Sequence, residues 1–353
     1  SGNIARFLPG LLPKRSNNRG QFPQLGTTPV ASLAQELDAQ TRPGNGYIVE
    51  ANSKTVSKTY PHFISGFWAP GYRTDRITSL LKSTSSHTPG QSWKIMTDNI
   101  SPLAKQLLPL MLKFISKESE AGRILNSWDG EMSRDKVAPT LFMSWLRELN
   151  IDLYGDELGE LTARYLRLRP RFVEKVLTQD QVWCDDIRTI PTETCVGIVG
   201  GAWVKTVVKL KMRFGRDISK WTWGKVHRAH FRHPVFSAIP LLDKWANLSI
   251  PSDGGAFTVN RGNFRLNRKA DPFRHTHGAG IRTVYDLADL NNSGFVIATG
   301  QSGNILSPHY RDFLTDWRDN RSVQFAADKM ELRRRSAKLL TLLPQEKSEE
   351  KAK

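Results

Sequence analysis

The sequence predicts an α+β fold in which strand-rich ends flank a helical middle. Three observations carry that prediction. Residues 1–45 are rich in Pro, Gly and Asn and lead into Gly46-Tyr47-Ile48-Val49-Glu50-Ala51, where Tyr, Ile and Val stand together. Between about residues 73 and 182, apolar side chains recur at helical spacing. After Pro234, short runs of Phe, Val and Ile lie between glycine turns. Segregated runs of this kind imply an α+β arrangement whose end strands pair with each other.

Taken in order, residues 2–7 read as a short strand followed by a long loop through Pro9-Gly10, Pro13 and Pro23. The run Gly46 to Ala51 reads as a strand closed by turn residues Asn52 and Ser53. Arg76, Ile77, Leu80 and Leu81 begin the first helix. Pro102 suits a first helical turn ahead of Leu103, Leu107, Leu108 and Met111, and Pro109 should kink or end that helix. Leu141, Trp145 and Leu149 recur at i, i+4 and i+8, which gives an amphipathic helix over 137–149. Thr178 is placed to cap a turn that starts near Asp180. Helices are expected over 195–211 and 223–231, and strands at 257–259, 281–287 and 295–297. A last strand or short helix is expected at 338–343, then a charged, disordered tail over 345–353. The expected organisation is strands and loops over 1–75, a mainly helical segment over 76–220, returning strands over 221–344, and the tail.

Composition sets the limits. Of 353 residues, 39% are hydrophobic and 24% charged, which permits a packed core and argues against wholesale disorder. No apolar run approaches the roughly 18 residues that a membrane span needs, so no membrane partner is expected. No signal peptide opens the chain, which suits a truncated or processed start. The formal charge of +17 would suit an acidic partner. The cations are scattered, however. They are densest at Arg333-Arg334-Arg335 and among Lys205, Lys209, Lys211, Arg213 and Arg216, and they read as solvated faces. No nucleic-acid-binding module is visible, so nucleic acid is not an expected partner. Cys184 and Cys195 are compatible with a disulfide or with two free thiols.

Several residue sets invite a chemical reading and do not sustain one. His227, His230 and His233 recur every three residues without an intervening carboxylate, whereas zinc ligands on one helix stand at i and i+4 with an acidic partner; they read as core or hydrogen-bonding histidines. His275 and His277 form a loop pair of the same kind. Ser302, in Gly300-Gln301-Ser302-Gly303, lacks the spacing of a nucleophile elbow and the helix that should follow it.

Four strings occur in a particular order: Trp221-Thr222-Trp223-Gly224-Lys225-Val226-His227, Gly254-Gly255-Ala256-Phe257-Thr258-Val259-Asn260, Arg282-Thr283-Val284-Tyr285-Asp286-Leu287-Ala288-Asp289, and Gly300-Gln301-Ser302-Gly303-Asn304-Ile305-Leu306-Ser307-Pro308-His309-Tyr310. The ordered set resembles the carboxy-terminal part of the β chain of the penicillin acylase family. The resemblance runs from Gly2 to about Pro344. It implies part of a four-layer αββα N-terminal-nucleophile hydrolase fold, with antiparallel sheets and a helical middle segment. It also implies an amidohydrolase whose nucleophile, the first residue of the β chain, is missing from this chain.

The resemblance assigns roles. Gly46 to Asn52 matches the strand after which the family places an asparagine that donates its side-chain amide to the oxyanion, so Asn52 takes that role. The segment Tyr60-Pro61-His62-Phe63 through Phe67-Trp68-Ala69-Pro70-Gly71-Tyr72-Arg73 matches the one that supplies a buried active-site arginine, so Arg73 becomes the orienting residue. Arg76 reads as a helix-surface arginine. One branch of the family carries a calcium-ligand aspartate just past this Tyr-Pro, and here His62, Phe63 and Ile64 follow. No cofactor is therefore assigned, and calcium stays open for the complete enzyme. Trp128-Asp129-Gly130 also matches and reads as structural, a core tryptophan with an aspartate turn. The Gly300 to Tyr310 string reads as backbone geometry near the site. The surroundings of Cys184 and Cys195 resemble a cysteine pair of some periplasmic acylases. Ser1 resembles a later strand, not the nucleophile.

The expected function is thus that of a fragment of an acylase acting on linear amides such as β-lactam side chains or N-acyl homoserine lactones. Its expected partners are the rest of the β chain, the α chain of the same precursor and a small amide substrate, and its expected place is the periplasm or the exterior. A basic nucleic-acid-binding protein and an inactive acylase relative are the competing readings.

Overall fold

Helices form where apolar spacing calls for them, because each one satisfies its own backbone hydrogen bonds. The structure, a computed structural model, describes residues 3–6, 12–13, 22, 32–33, 40–41, 43–57, 59–60, 63–336, 338 and 340–343. The first long helix is Tyr72–Lys82. Pro102 opens the helix Pro102–Met111, where Ser101 Oγ accepts the Ala104 amide at 3.2 Å. Pro109 lies near its end, and the chain tightens into a 3-10 turn at Leu112–Phe114. The Leu141, Trp145 and Leu149 stripe sits in the helix Ala138–Leu158, and all three side chains are fully buried.

The helix Cys195–Phe214 packs against Ala138–Leu158. The Trp145 and Trp203 rings lie 5.0 Å apart, and Trp145 Nε1 donates to the Val199 carbonyl at 3.0 Å. The indole therefore buries its ring without orphaning its donor. Truncating Trp145 would cost about 3–5 kcal/mol. Thr194 caps the Cys195–Phe214 helix, and a disulfide joins Cys195 to Cys184 with their Cα atoms 5.0 Å apart. That bridge ties the turn Gln181–Cys184 to the start of the helix and resolves the open cysteine question.

Strands are short and antiparallel, and they pair with near neighbours. Ala5–Arg6 pairs with Gln40–Thr41, and Leu12–Pro13 with Ser32–Leu33. Arg228–Phe231 pairs with Leu248–Pro251, and Gly262–Asn263 with His277–Gly278. Gly294–Ile297 lies between Ile281–Val284 and Val323–Gln324. Among the described residues, the strands of the two ends do not pair with each other, contrary to expectation. Local pairing needs less loop closure.

Other expectations also fail locally. Residues 46–51 form no strand: no neighbouring chain supplies a ladder there among the described residues. Phe257 to Val259 forms turns, because Thr258 Oγ1 bonds both the Gly255 amide, at 2.9 Å, and the Asn260 carbonyl, at 2.6 Å. The helix from Trp223 stops at Val226, and Arg228–Phe231 is a strand. Thr178 Oγ1 bonds Glu174 O of its own helix at 2.8 Å and caps nothing downstream. Lys338 and residues 340–343 carry no regular element. The expectations for Ser1, Gly2 and residues 345–353 fall outside the described residues.

The chain forms two compact units, Ser1–His87 with Lys94–Ala279 and Thr88–Trp93 with Gly280–Lys353. The first holds the helical core and the Trp221–His227 and Gly254–Asn260 strings, which pack on each other. Trp223 Nε1 donates to Gly254 O at 2.9 Å. Gly254 has φ 82°, and a Cβ there would lie 2.0 Å from Asn260 O, so the turn requires glycine. The second unit holds the three-stranded sheet. There Arg282 sits 4.7 Å over the Trp317 ring and donates to its carbonyl at 2.7 Å. A Cβ at Gly300 would lie 2.1 Å from His309 O, and Ser302 N donates to that carbonyl at 3.1 Å. The Gly300 string thus closes on itself by backbone contact, and Ser302 Oγ accepts from the Asn304 amide at 3.1 Å.

Candidate active site

Asn52 and Arg73 come together. Asn52 has φ 65°, a left-handed conformation that asparagine tolerates better than most residues. Arg73 lies in the first turn of Tyr72–Lys82, where a cation meets an unfavourable helix dipole. It is held there by acceptors: Nη2 donates to Ala51 O at 2.6 Å and to Asn52 Oδ1 at 2.8 Å. Among the described residues Asn52 Nδ2 has no hydrogen-bond partner, and Asn52 is exposed while Ala51 is buried. Two further bonds fix the turn: Ala69 N donates to Asn52 O at 2.9 Å, and the Ser53 and Thr74 hydroxyls lie 2.6 Å apart.

The charge of Arg73 is itself unusual. Burial, and then the positive charge of Arg261, pull its guanidinium below its ordinary pKa. A guanidinium nevertheless stays protonated in proteins, so Arg73 is a fixed cation behind a neutral amide. Chemically, the pair presents an N–H donor whose oxygen end is already engaged. Such a donor is pre-aimed and needs no reorganisation when charge develops in front of it.

Arg76 is not the surface arginine that the spacing suggested. Its Nε and Nη2 form a two-pronged pair with Asp98 at 3.0 and 2.7 Å, and both partners are largely buried. Asp98 O accepts the Asn260 amide at 2.9 Å, so this pair anchors the chain just ahead of Arg261. A local pattern cannot reveal a partner 22 residues away.

The remaining motif residues serve packing. Trp128 lies 5.6 Å from the Phe142 ring, and Asp129 Oδ1 accepts the Glu131 amide at 3.0 Å. His227 is fully buried between the parallel rings of Trp223 and His275, at 4.5 and 5.0 Å. Its Nδ1 bonds Phe273 O at 2.7 Å. Burial, with a contribution from His275, holds its pKa well below 6.5, so it is neutral. Among the described residues no group of three or more His, Cys, Asp or Glu could hold a metal ion. Pro61 and His62, at the place of the family's calcium-ligand segment, lie outside them. Nor is any helix among the described residues long and apolar enough to cross a membrane.

Arg261 is the residue that the sequence reading missed. It directly follows the Gly254 to Asn260 string, and nothing about its local spacing sets it apart from the chain's other arginines. It lines a cavity of about 590 Å³ together with Arg167, Arg265 and Phe257. The Phe257 ring lies 5.1 Å from that of Tyr72, the neighbour of Arg73.

Comparison with known proteins fits this framework. The structure of a thermostable penicillin G acylase from Alcaligenes faecalis is similar to 98% of this chain and 66% of its own, with a TM-score of 0.61 and 17% identity. Together with the helices and antiparallel sheets described above, that similarity places the chain in the N-terminal-nucleophile hydrolase fold. The sequence pattern of the penicillin amidase family matches residues 1–334, and the chain belongs to that family. A penicillin acylase 2 proenzyme from Pseudomonas sp. (strain SE83) is 26% identical over 339 residues, which are 90% of this chain and 42% of that protein. The acyl-homoserine lactone acylase QuiP of Pseudomonas syringae pv. syringae (strain B728a) is 24% identical over 352 residues, with the same coverage of each. The chain thus spans less than half the length of these curated relatives.

Proposed function

We propose that this chain is the carboxy-terminal part of the β chain of a serine amidohydrolase that cleaves linear amides carrying a hydrophobic acyl group. A serine that opens the β chain, outside the residues matched here, attacks the amide carbonyl. Its hydroxyl proton passes to the free α-amino group and then to the departing amine. Water attacks the resulting ester and releases the acid. Asn52 Nδ2–H donates a hydrogen bond to the carbonyl oxygen as it becomes an oxyanion, and Arg73 orients that amide by holding Oδ1.

The observation that carries this reading is the 2.8 Å bond from Arg73 Nη2 to Asn52 Oδ1, which leaves Nδ2 without a described partner. The names of the relatives support penicillins or N-acyl homoserine lactones as substrate classes. The coverage of 42% supports the rest of the β chain and an α chain as partners. The Cys184–Cys195 disulfide supports an oxidising compartment, the periplasm or the exterior.

The test uses the complete enzyme and measures chromophore release from phenylacetyl and long-chain acyl anilides. Arg73→Lys should lower the acylation rate about 10- to 100-fold, the worth of one charge-assisted hydrogen bond, because an ammonium does not reproduce the guanidinium fork. A complete enzyme that hydrolyses no amide, or an Arg73→Lys variant at the parent rate, would sink the proposal.

A further inference from the structure

The cavity lined by Arg261 carries an excess of positive charge. Three of its lining residues, Arg167, Arg261 and Arg265, are cationic, and among the described residues no carboxylate lines it. Other half-buried cations have found a carboxylate partner, as Arg76 has in Asp98 at 2.7 Å and Arg134 in Asp253 at 2.8 Å. Arg261 has not. Its guanidinium is half-buried, its Nε is shielded from solvent, and it makes no hydrogen bond or ion pair with any described residue. Shielding a charged donor without an acceptor is costly, and an incoming oxyanion would remove that cost.

The walls narrow the choice of ligand. The half-buried Phe257 ring lines the same space as the arginines, alongside the amide of Asn263, while Phe264 and Leu266 stand behind it, almost wholly buried. An inorganic anion would leave the open part of the Phe257 ring wet. An organic acid uses both features, its carboxylate on the flat guanidinium fork and its body on that ring. The volume of about 590 Å³ lies within the range of small-ligand pockets and is concave, which suits a small molecule better than a protein segment.

The geometry points to a subsite in which Arg261, flanked by Arg167 and Arg265, binds a carboxylate carried by a small organic substrate or product. As a subsite of an amidohydrolase, this rests on the function proposed above. The carboxylate can belong to the acyl part or to the amine part of the amide, and the test separates the two.

In the complete enzyme, benzoate binding is measured by calorimetry at fixed ionic strength in the parent, Arg261→Gln and Arg265→Gln, with benzamide as the uncharged probe. Saturable benzoate binding that weakens about tenfold or more in Arg261→Gln, and falls less in the exposed Arg265→Gln, supports the subsite. No saturable benzoate binding in the parent, unchanged benzoate affinity in Arg261→Gln, or an equal loss for benzamide overturns it. Should Arg261→Gln melt well below the parent, the double variant of Arg167→Gln and Arg265→Gln, both on exposed residues, carries the same comparison. A second arm compares a neutral anilide with two partners bearing a carboxylate on the acyl side or on the amine side. The ratio of kcat/KM for charged over neutral amide should drop about tenfold in Arg261→Gln for one of the two, which identifies the carboxylate's source. Unchanged ratios for both overturn the substrate role. If the parent hydrolyses none of the amides, the amidase reading fails, and the benzoate arm still decides the anion site.

Discussion

Replacing Asn52 separates its chemical role from its backbone role. At φ 65° a side chain other than asparagine, aspartate or glycine is strained by roughly 1 kcal/mol. Asn52→Ala therefore removes the amide and strains the turn, whereas Asn52→Gly removes the amide and relaxes it. Asn52→Asp keeps an acceptor for Arg73 Nη2, now as an exposed ion pair worth about 0–1 kcal/mol, but offers no N–H and places negative charge where the oxyanion forms. Loss of one oxyanion donor costs about 2.7–4 kcal/mol, or 10²–10³ in rate. In the complete enzyme, single-turnover acylation should fall by that factor in the Ala and Gly variants alike, and at least as far in the Asp variant. Substrate affinity should change much less, because the donor meets charge only in the transition state. Stability should rank differently: Asp and Gly close to the parent, and Ala lower. Urea unfolding and stopped-flow acylation on the same preparations give both rankings. Folded Asn52→Gly acylating at the parent rate would refute the argument and reduce Asn52 to a turn residue.

Two further outcomes follow from the core. Converting both Cys184 and Cys195 to alanine should lower unfolding free energy by about 2.8 kcal/mol, the loop-closure value for a sequence separation of 11, read from the urea midpoint; a loss below about 1 kcal/mol would show that the bridge adds little to a loop already braced by its hydrogen bonds. His227 is kept neutral when folded but binds a proton below about pH 6.5 when unfolded, so its contribution is full above that pH and is lost progressively on acidification. The carboxyl of Glu157, pushed up to about 7 chiefly by burial, works in the opposite direction over the same window. The quantity to measure is therefore the parent's pH dependence minus that of His227→Gln, and parallel curves would disprove the buried-neutral assignment.

What the sequence revealed follows from where hydrogen bonds are made. The helices Pro102–Met111 and Ala138–Leu158 close their bonds within themselves, so the spacing of Leu103, Leu107 and Met111 and of Leu141, Trp145 and Leu149 was enough to find them. The Tyr47-Ile48-Val49 run carries β-favouring side chains yet forms no strand, because a strand needs a neighbour that no local pattern specifies. That Asn52 and Arg73 lie side by side was legible, since the family resemblance pointed to both ends of one loop. The Arg76–Asp98 pair was not, nor was the lack of a partner for Arg261 among the described residues. Both depend on which distant residues approach, and short-range spacing holds no record of that.

The turn that carries Asn52 has one more consequence. Asn52 O to Ala69 N, Ser53 to Thr74, and Arg73 to both Ala51 O and Asn52 Oδ1 fasten the two feet of the intervening segment directly to each other. The bonds at those feet do not involve the rest of the span, so its length does not enter them. Doubling such a span adds only about 0.6 kcal/mol of closure entropy. If Asn52 is the oxyanion donor proposed above, a tag or recognition peptide inserted in this span should leave acylation at the parent rate.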